Sequence, residues 1–515
     1  MSGMCMFVWR RLLQNSVQLT RHGASRNHVP LVSAKLVSSN VSIKHVPAVR
    51  WYTNDVEQQK EHEFAHGLLE KIVSYQTKLV TASEQETASN LLDLSTILDR
   101  VDVEQASLED LISTVERLSN MDTTLKLVAM ENPQVFAITD RVISLLPSAS
   151  DTQLKELMAL YSRLNVRANK VQFKRQLSRL AISLKNELDV RADDWSLDTI
   201  LYYMDFFNQT NRKVLTSTFM ERFVDKMDAL TKEQVILLLH NLSVSYSSHH
   251  CRDLLLTLEG ELERQFDACS MQELAVAALG FFRSRYVLQS ESLVEKFATR
   301  LRSEIGVLDE RTVVAVIKII NYSTRNGTAY SNSSVRESMR AVTQALLPQL
   351  RDFSPSSCTN LFRISASLHQ LNHNLMDALC QKLIHADIKH WRLKDLAWFT
   401  FTFGQFQCML DEKQWFYGKI IRSLESLERR AEILQYPNAL VQSLIGLSMV
   451  GIYPNSLLNE VLSSTFRARM RGKYLLNRFI IVVPNSRIMS PPYLPLFTCL
   501  FRFPNIRLLN TSITV

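Results

Sequence analysis

Apolar residues recur along most of this chain at the spacing of one face of a helix. In residues 270–305, Leu274, Ala277, Ala278 and Phe281 fall at i, i+3, i+4 and i+7, which predicts an amphipathic helix. Ser270 followed by Glu273 is a capping box that gives the first backbone N–H groups partners. Arg283-Ser284-Arg285 interrupts the stripe, and Ser290 opens a second helix whose apolar side is Leu293, Val294, Phe297 and Leu301. Two such helices cannot bury their stripes alone, so a hairpin of this kind requires neighbours like itself.

The chain supplies them. A small polar residue with an apolar one four places on recurs at Ser107/Leu111, Ser150/Leu154, Ser196/Ile200, Thr231/Val235, Ser270/Leu274, Asp309/Val313, Ser354/Cys358 and Arg392/Leu396, with a weaker start at Gln435/Ala439. The starts are 35 to 46 residues apart, and Thr231 with Gln234 repeats the capping box. The expected fold is therefore all-α, an α-solenoid of eight or nine degenerate helical hairpins of about 40 residues. Only 12 Gly and 13 Pro in 515 residues agree with helices rather than a turn-rich β architecture.

Charge changes the picture once it is divided. Residues 1–54 hold seven Lys and Arg and no acid, and residues 461–515 hold eight and no acid. That leaves 44 basic against 51 acidic residues between 55 and 460, a net of −7 inside a chain of net +8. The Arg- and Ser-rich, acid-free start, with Trp9, Leu12, Leu13 and Val17 on one helical side, has the character of a mitochondrial presequence. Arg50-Trp51-Tyr52 resembles an arginine-guided processing site, so the mature protein is expected to begin near Trp51 in the mitochondrial matrix. No run of eighteen apolar residues occurs, so no membrane span is expected. The seven cysteines form no C-x-x-C pair and are expected to be reduced, buried thiols.

Candidate chemistry is sparse. His62-Glu63-Phe64-Ala65-His66 matches H-E-x-x-H, whose histidines can bind zinc on one helical face. A polar run precedes it and no third ligand follows, so two solvent-facing histidines are the expectation, with no metal. Val314-Ala315-Val316-Ile317-Lys318 has the letters of a kinase strand but neither a glycine-rich loop before it nor H-R-D or D-F-G after it. Neighbouring residues point in different directions, so His249-His250-Cys251 is not expected to hold a metal. Residues 391–417 are dense in aromatics, including Trp391, Trp398, Phe399, Phe401, Phe403, Phe406 and Trp415. They read as core packing first and as base-stacking platforms second. Arg467, Arg469, Arg471 and Lys473, with Arg478 beyond them, form a cation run without a neighbouring acid, which suits a phosphate backbone.

Residues 438–466 (NALVQSLIGLSMVGIYPNSLLNEVLSSTF) and Tyr474-Leu475-Leu476-Asn477-Arg478, together with the presequence and the repeats, resemble the FAST-kinase-domain-containing family. That resemblance implies RNA binding and mitochondrial transcript maturation or stability, without phosphoryl transfer. Such proteins typically close with a RAP domain. The stretch of about forty residues after Asn477 is proline-broken and free of Asp and Glu, so a complete RAP domain is not expected and no acidic centre is carried over. A truncated or alternatively spliced product would account for such an end. The organisation expected is a presequence (1–52), a helical lead-in (53–90), the repeat array (91–433), a FAST-type block (434–480) and an irregular basic tail (481–515). The partner expected is mitochondrial RNA, bound through Arg467, Arg469, Arg471, Lys473 and Arg478. Other RNA-processing or ribosome-assembly proteins are further partners, and DNA is not one. No catalytic residue, metal or cofactor is expected. The −7 array favours a second reading, a helical-repeat scaffold or assembly factor for proteins.

Overall fold

A computed structural model describes residues 64–80, 91–164, 171–191, 195–209, 223, 229–243, 252–326, 332–368, 372–406 and 414–471. Contacts divide the chain into Met1–Gln58 and Gln59–Val515, and all described residues lie in the second unit. Those residues are all-α, with no strand among them. The expected processing site at Arg50, Trp51 and Tyr52 lies outside the described residues.

A first layer consists of α1 (Leu108–Ser119), α2 (Asp151–Leu164), α3 (Leu197–Gln209), α4 (Lys232–Leu242), α5 (Met271–Arg283), α6 (Glu310–Asn326), α7 (Pro355–Ser367), α8 (Leu393–Gln405) and α9 (Pro437–Met449). Each packs on the next. A second layer threads between them in sequence, and its helices Glu291–Glu304, Ser333–Leu346, His373–His385 and Gln414–Glu425 likewise pack in succession. This pairing of every other helix is compatible with the expected solenoid.

The starts read from sequence are where the first-layer helices begin. Ser107, Thr231 and Ser270 each form a complete capping box, with Asp110, Gln234 and Glu273 returning the bond. The first-layer helices run parallel, since their starts touch starts and their ends touch ends. Gln234 Nε2 donates to Asp198 Oδ1 (3.2 Å) and Lys232 Nζ lies 3.0 Å from Glu273. At the opposite ends Asn208 Nδ2 donates to Asn241 Oδ1 (2.6 Å), and Arg283 Nη1 to Ser243 Oγ (3.2 Å).

Leu274, Ala277, Ala278 and Phe281 are fully buried, as the stripe predicts. Cys269, Cys358 and Cys380 are buried as well, and burial pushes the Cys269 thiol up to about 11 and Cys358 up to about 12. Phe281→Ala is expected to destabilise its neighbourhood by about 3–5 kcal/mol, because transfer and cavity terms add. In a stack of helices that loss stays local, so loss of hydrogen-exchange protection centred on α4 to α6 is the measurement that checks it.

One segment does not follow the stacking. Residues 64–80 lie as a strap across the first layer, on helices far away in sequence. Ala65, Leu68, Leu69, Tyr75, Leu79 and Val80 are all buried there. Phe64 sits 5.7 Å from Lys318 Nζ on α6, Tyr75 OH donates to Glu273 on α5 (3.0 Å), and Val80 N–H donates to Asp205 on α3 (3.1 Å). The strap does not cross these helices in order: Phe64 and Lys71 meet α6 and its start, while His66 and Val80 both reach Asp205 on α3.

Candidate functional site

Two constellations of polar and charged groups stand out, and neither is a catalytic cluster. The first fixes the strap. His66 Nδ1 lies 3.0 Å from Glu70 Oε1, and its Nε2 lies 3.7 Å from Asp205 Oδ2. Burial lowers the affinity of His66 for its proton, but the charge and hydrogen bond of Asp205, aided by Glu70, outweigh it and push the imidazole up to about 10. Asp205 is almost fully buried and also accepts from Val80 N–H and from Gln209 Nε2 (3.0 Å).

This overturns the expectation of a solvent-facing His66. The residue is turned inward: Nδ1 meets the Glu70 carboxylate, and Nε2 lies 3.0 Å from Gln209 Nε2 with the Asp205 carboxylate 3.7 Å away. Nothing in the local sequence signals it, because the partner that draws the ring inward is Asp205, on a helix far along the chain. His62 and Glu63 lie outside the described residues. Among the described residues no group of three or more His, Cys, Asp or Glu could hold a metal ion.

The second constellation follows from the parallel first layer. Acids gather in first turns, at Asp110, Asp151, Asp198, Glu233, Glu273, Glu310 and Asp395. Cations gather in last turns, at Arg117, Arg163, Arg283 and Arg325. Each sign opposes the helix-end charge of roughly half a unit, and a full charge leaves a surplus of about half. The starts of seven first-layer helices thus carry acids and the ends of four carry arginines, while Asp205 lies near the end of α3 and Lys232 and Arg392 pair with acids at the starts.

Cations also meet aromatic rings, both near the ends of α5 and α6 and along the middle of α7 and α8. Arg363 lies 4.7 Å and Arg325 5.7 Å from the centroid of the Trp398 ring, so cations from α7 and α6 converge on one indole of α8. Phe282 meets the Tyr322 ring at 5.8 Å, and Tyr322 OH donates to the Arg285 carbonyl (3.2 Å). Arg285 ends the turn after α5 with φ 53°, a left-handed conformation that favours glycine. The aromatic density of 391–417 divides in two. Trp391, Phe399, Phe403 and Phe416 are buried, with Phe362 to Phe399 at 4.7 Å and Phe403 to Phe416 at 5.0 Å. Trp398 and Phe401 stay half-buried.

The cations singled out from sequence lie elsewhere. Arg467, Arg469 and Arg471 belong to the helix Ser464–Arg471, while Lys473 and Arg478 lie outside the described residues. The structure does not bring this helix together with the Trp398 cluster in any described contact.

The segment that carries the family resemblance includes α9, which packs on α8 at a pair of glycines. A Cβ on Gly404 would stand 2.2 Å from the Gly446 carbonyl oxygen, and one on Gly446 2.4 Å from that of Thr400. Sequence comparison then supplies the decisive observation. A human protein, FAST kinase domain-containing protein 5, mitochondrial, is 24% identical over 307 residues, 58% of this chain and 38% of the relative. Its mouse counterpart is 22% identical over 303 residues, again 58% and 38% of the two chains. The chain is related to the FAST kinase domain-containing proteins. A third relative of the same name, from Macaca fascicularis, is 22% identical over 277 residues. The match spans little more than a third of the length of these FAST kinase domain-containing relatives. No protein-family model matches the chain.

Proposed function

We propose that this chain is a mitochondrial RNA-binding protein that acts in the maturation or stability of mitochondrial transcripts and catalyses no reaction of its own. The observation that carries this reading is the run of cations and aromatic rings along α5 to α8, where Arg325 and Arg363 meet Trp398 and Phe282 meets Tyr322 beside Arg285. Cations with aromatic faces are the groups that hold a single strand: the cations neutralise phosphates and the rings stack on bases. The mitochondrial names of the relatives and the acid-free, arginine-bearing first 54 residues support import into the matrix. Among the described residues no helix is long and apolar enough to cross a membrane.

The second reading, a scaffold for assembling other proteins, draws on the acids gathered at the starts of the first-layer helices. Ultraviolet crosslinking of the mature protein inside mitochondria separates the two. Recovery of covalently bound RNA supports the first reading, and recovery of protein adducts alone overturns it.

The acid-free segment after Glu460 supplies further electrostatic affinity in this reading. Replacing Arg467, Arg469, Arg471 and Lys473 together by Gln is expected to weaken RNA binding at low salt. It should also flatten the plot of log affinity against log salt by up to about 3 units, at roughly 0.7 per single-strand phosphate contact. A salt titration of both proteins on one single-stranded RNA makes the comparison, and an unchanged slope assigns the phosphate contacts to the helical array.

A further inference from the structure

We propose that the ends of α5 and α6, with Arg363 of α7 and Trp398 of α8, form a track for single-stranded RNA in which Trp398 is the stacking platform. This rests on the RNA reading above and gives it a place. The residues follow one another: the Arg285 carbonyl just after α5 accepts from Tyr322 OH, Arg325 lies one turn beyond Tyr322 on α6, and Arg325 and Arg363 both reach Trp398. At interaxial distances of 8–10 Å, four successive helices span roughly 24–30 Å, enough for several extended nucleotides.

Three observations point to a strand rather than to a purely structural cluster. Trp398 keeps part of its surface in solvent while Phe399 and Phe403 beside it are wholly buried. Arg285 is exposed, Arg325 keeps surface in solvent although burial holds its guanidinium below the usual arginine range, and neither makes an ion pair among the described residues. Arg285 holds a backbone conformation that costs a non-glycine residue stability, in the turn that follows α5. Of the two cations on the indole, Arg325 is the more distant. An incoming base takes its place against the ring, and the released guanidinium pairs with the flanking phosphate. Charge is conserved at the cluster, and one cation–π contact is exchanged for a stack and a charge-assisted hydrogen bond.

The track has a boundary. The strap covers the first layer from α3 to α6, and its Phe64 stacks on Lys318, two turns before Arg325 on the same helix. A strand therefore has the residues from Arg285 onward and not the faces beneath residues 64–80.

The test uses the full mature chain and an unstructured single-stranded RNA of mixed sequence. Trp398→Ala is expected to weaken binding about tenfold or more, since a base–aromatic stack is worth about one to two decades in affinity. Trp398→Phe should restore most of it. Arg325→Gln, which keeps most of the side-chain stem, should flatten the salt slope by about 0.7. Thermal melts of all three variants exclude unfolding as the cause. If the wild-type protein binds RNA and all three variants match it in affinity and slope, the track is wrong and the RNA reading stands. If the wild-type protein binds no RNA, both fall.

Discussion

Gly446→Ala is expected to part the last two helices of the first layer. The new methyl group would stand 2.4 Å from the Thr400 carbonyl oxygen and 2.6 Å from the Phe401 Cα. These are backbone atoms of α8, so no side chain can swing aside and the helices must separate along their length. Overpacking of a core costs about 1–3 kcal/mol where side chains adjust, and this contact lies at or beyond the top of that range. Hydrogen exchange should show protection lost from α8 onward and kept in the earlier helices. Gly260→Ala is the control. It lies in the helix Arg252–Gln265 with nothing within 4 Å of its Cβ, and it should gain about 0.5–1 kcal/mol from helix propensity. Equal melting of Gly446→Ala and the unaltered protein would show that α8 and α9 do not meet at these glycines.

Asp205→Asn should release the strap. Its carboxylate is the charge that raises the affinity of His66 for its proton, and removing one member of a buried pair costs about 3–5 kcal/mol at neutral pH. The sign of the pH dependence follows from the direction of the shift. The imidazole is raised from its ordinary 6.5 to about 10, so the pair contributes fully below about pH 6.5 and its contribution fades as pH rises toward 10. The difference in melting temperature between the unaltered protein and Asp205→Asn should therefore be largest in mild acid and shrink in alkali. Proteolysis within residues 64–80 gives an independent reading of strap release. A difference that grows with pH would mean that His66 is neutral in the folded protein.

The helical layers were legible because their causes are local. Capping boxes at Thr231 and Ser270 and the stripe through Phe281 are written within a turn or two of the residues they organise. The strap was not, because its partners at Asp205 and Glu273 are 125 and 198 residues from the groups they bind. His66 illustrates the cost: a residue with polar neighbours in sequence reads as surface until a distant carboxylate draws it inward. Trp398 was visible only as one aromatic among many. Its distinction comes from Arg325 and Arg363 on two other helices, and helical spacing carries no trace of that. Gly446 shows the same limit from the other side. Within its own helix it reads as a weakness, and only α8 gives it a reason.

The strap also sets an order of events at birth. Residues 64–80 leave the ribosome well before the helices that will cover them, for Asp205, Glu273 and Asp309 follow far downstream. At the 5–20 residues per second of synthesis, the wait is on the order of ten to fifty seconds. Through that interval Leu68, Leu69, Tyr75, Leu79 and Val80 have no native surface to rest on. On leaving the ribosome, and again under the proposed import on entering the matrix N-terminus first, the chain presents this apolar segment before the helices that receive it, so the strap can close only after α3, α5 and α6 have arrived.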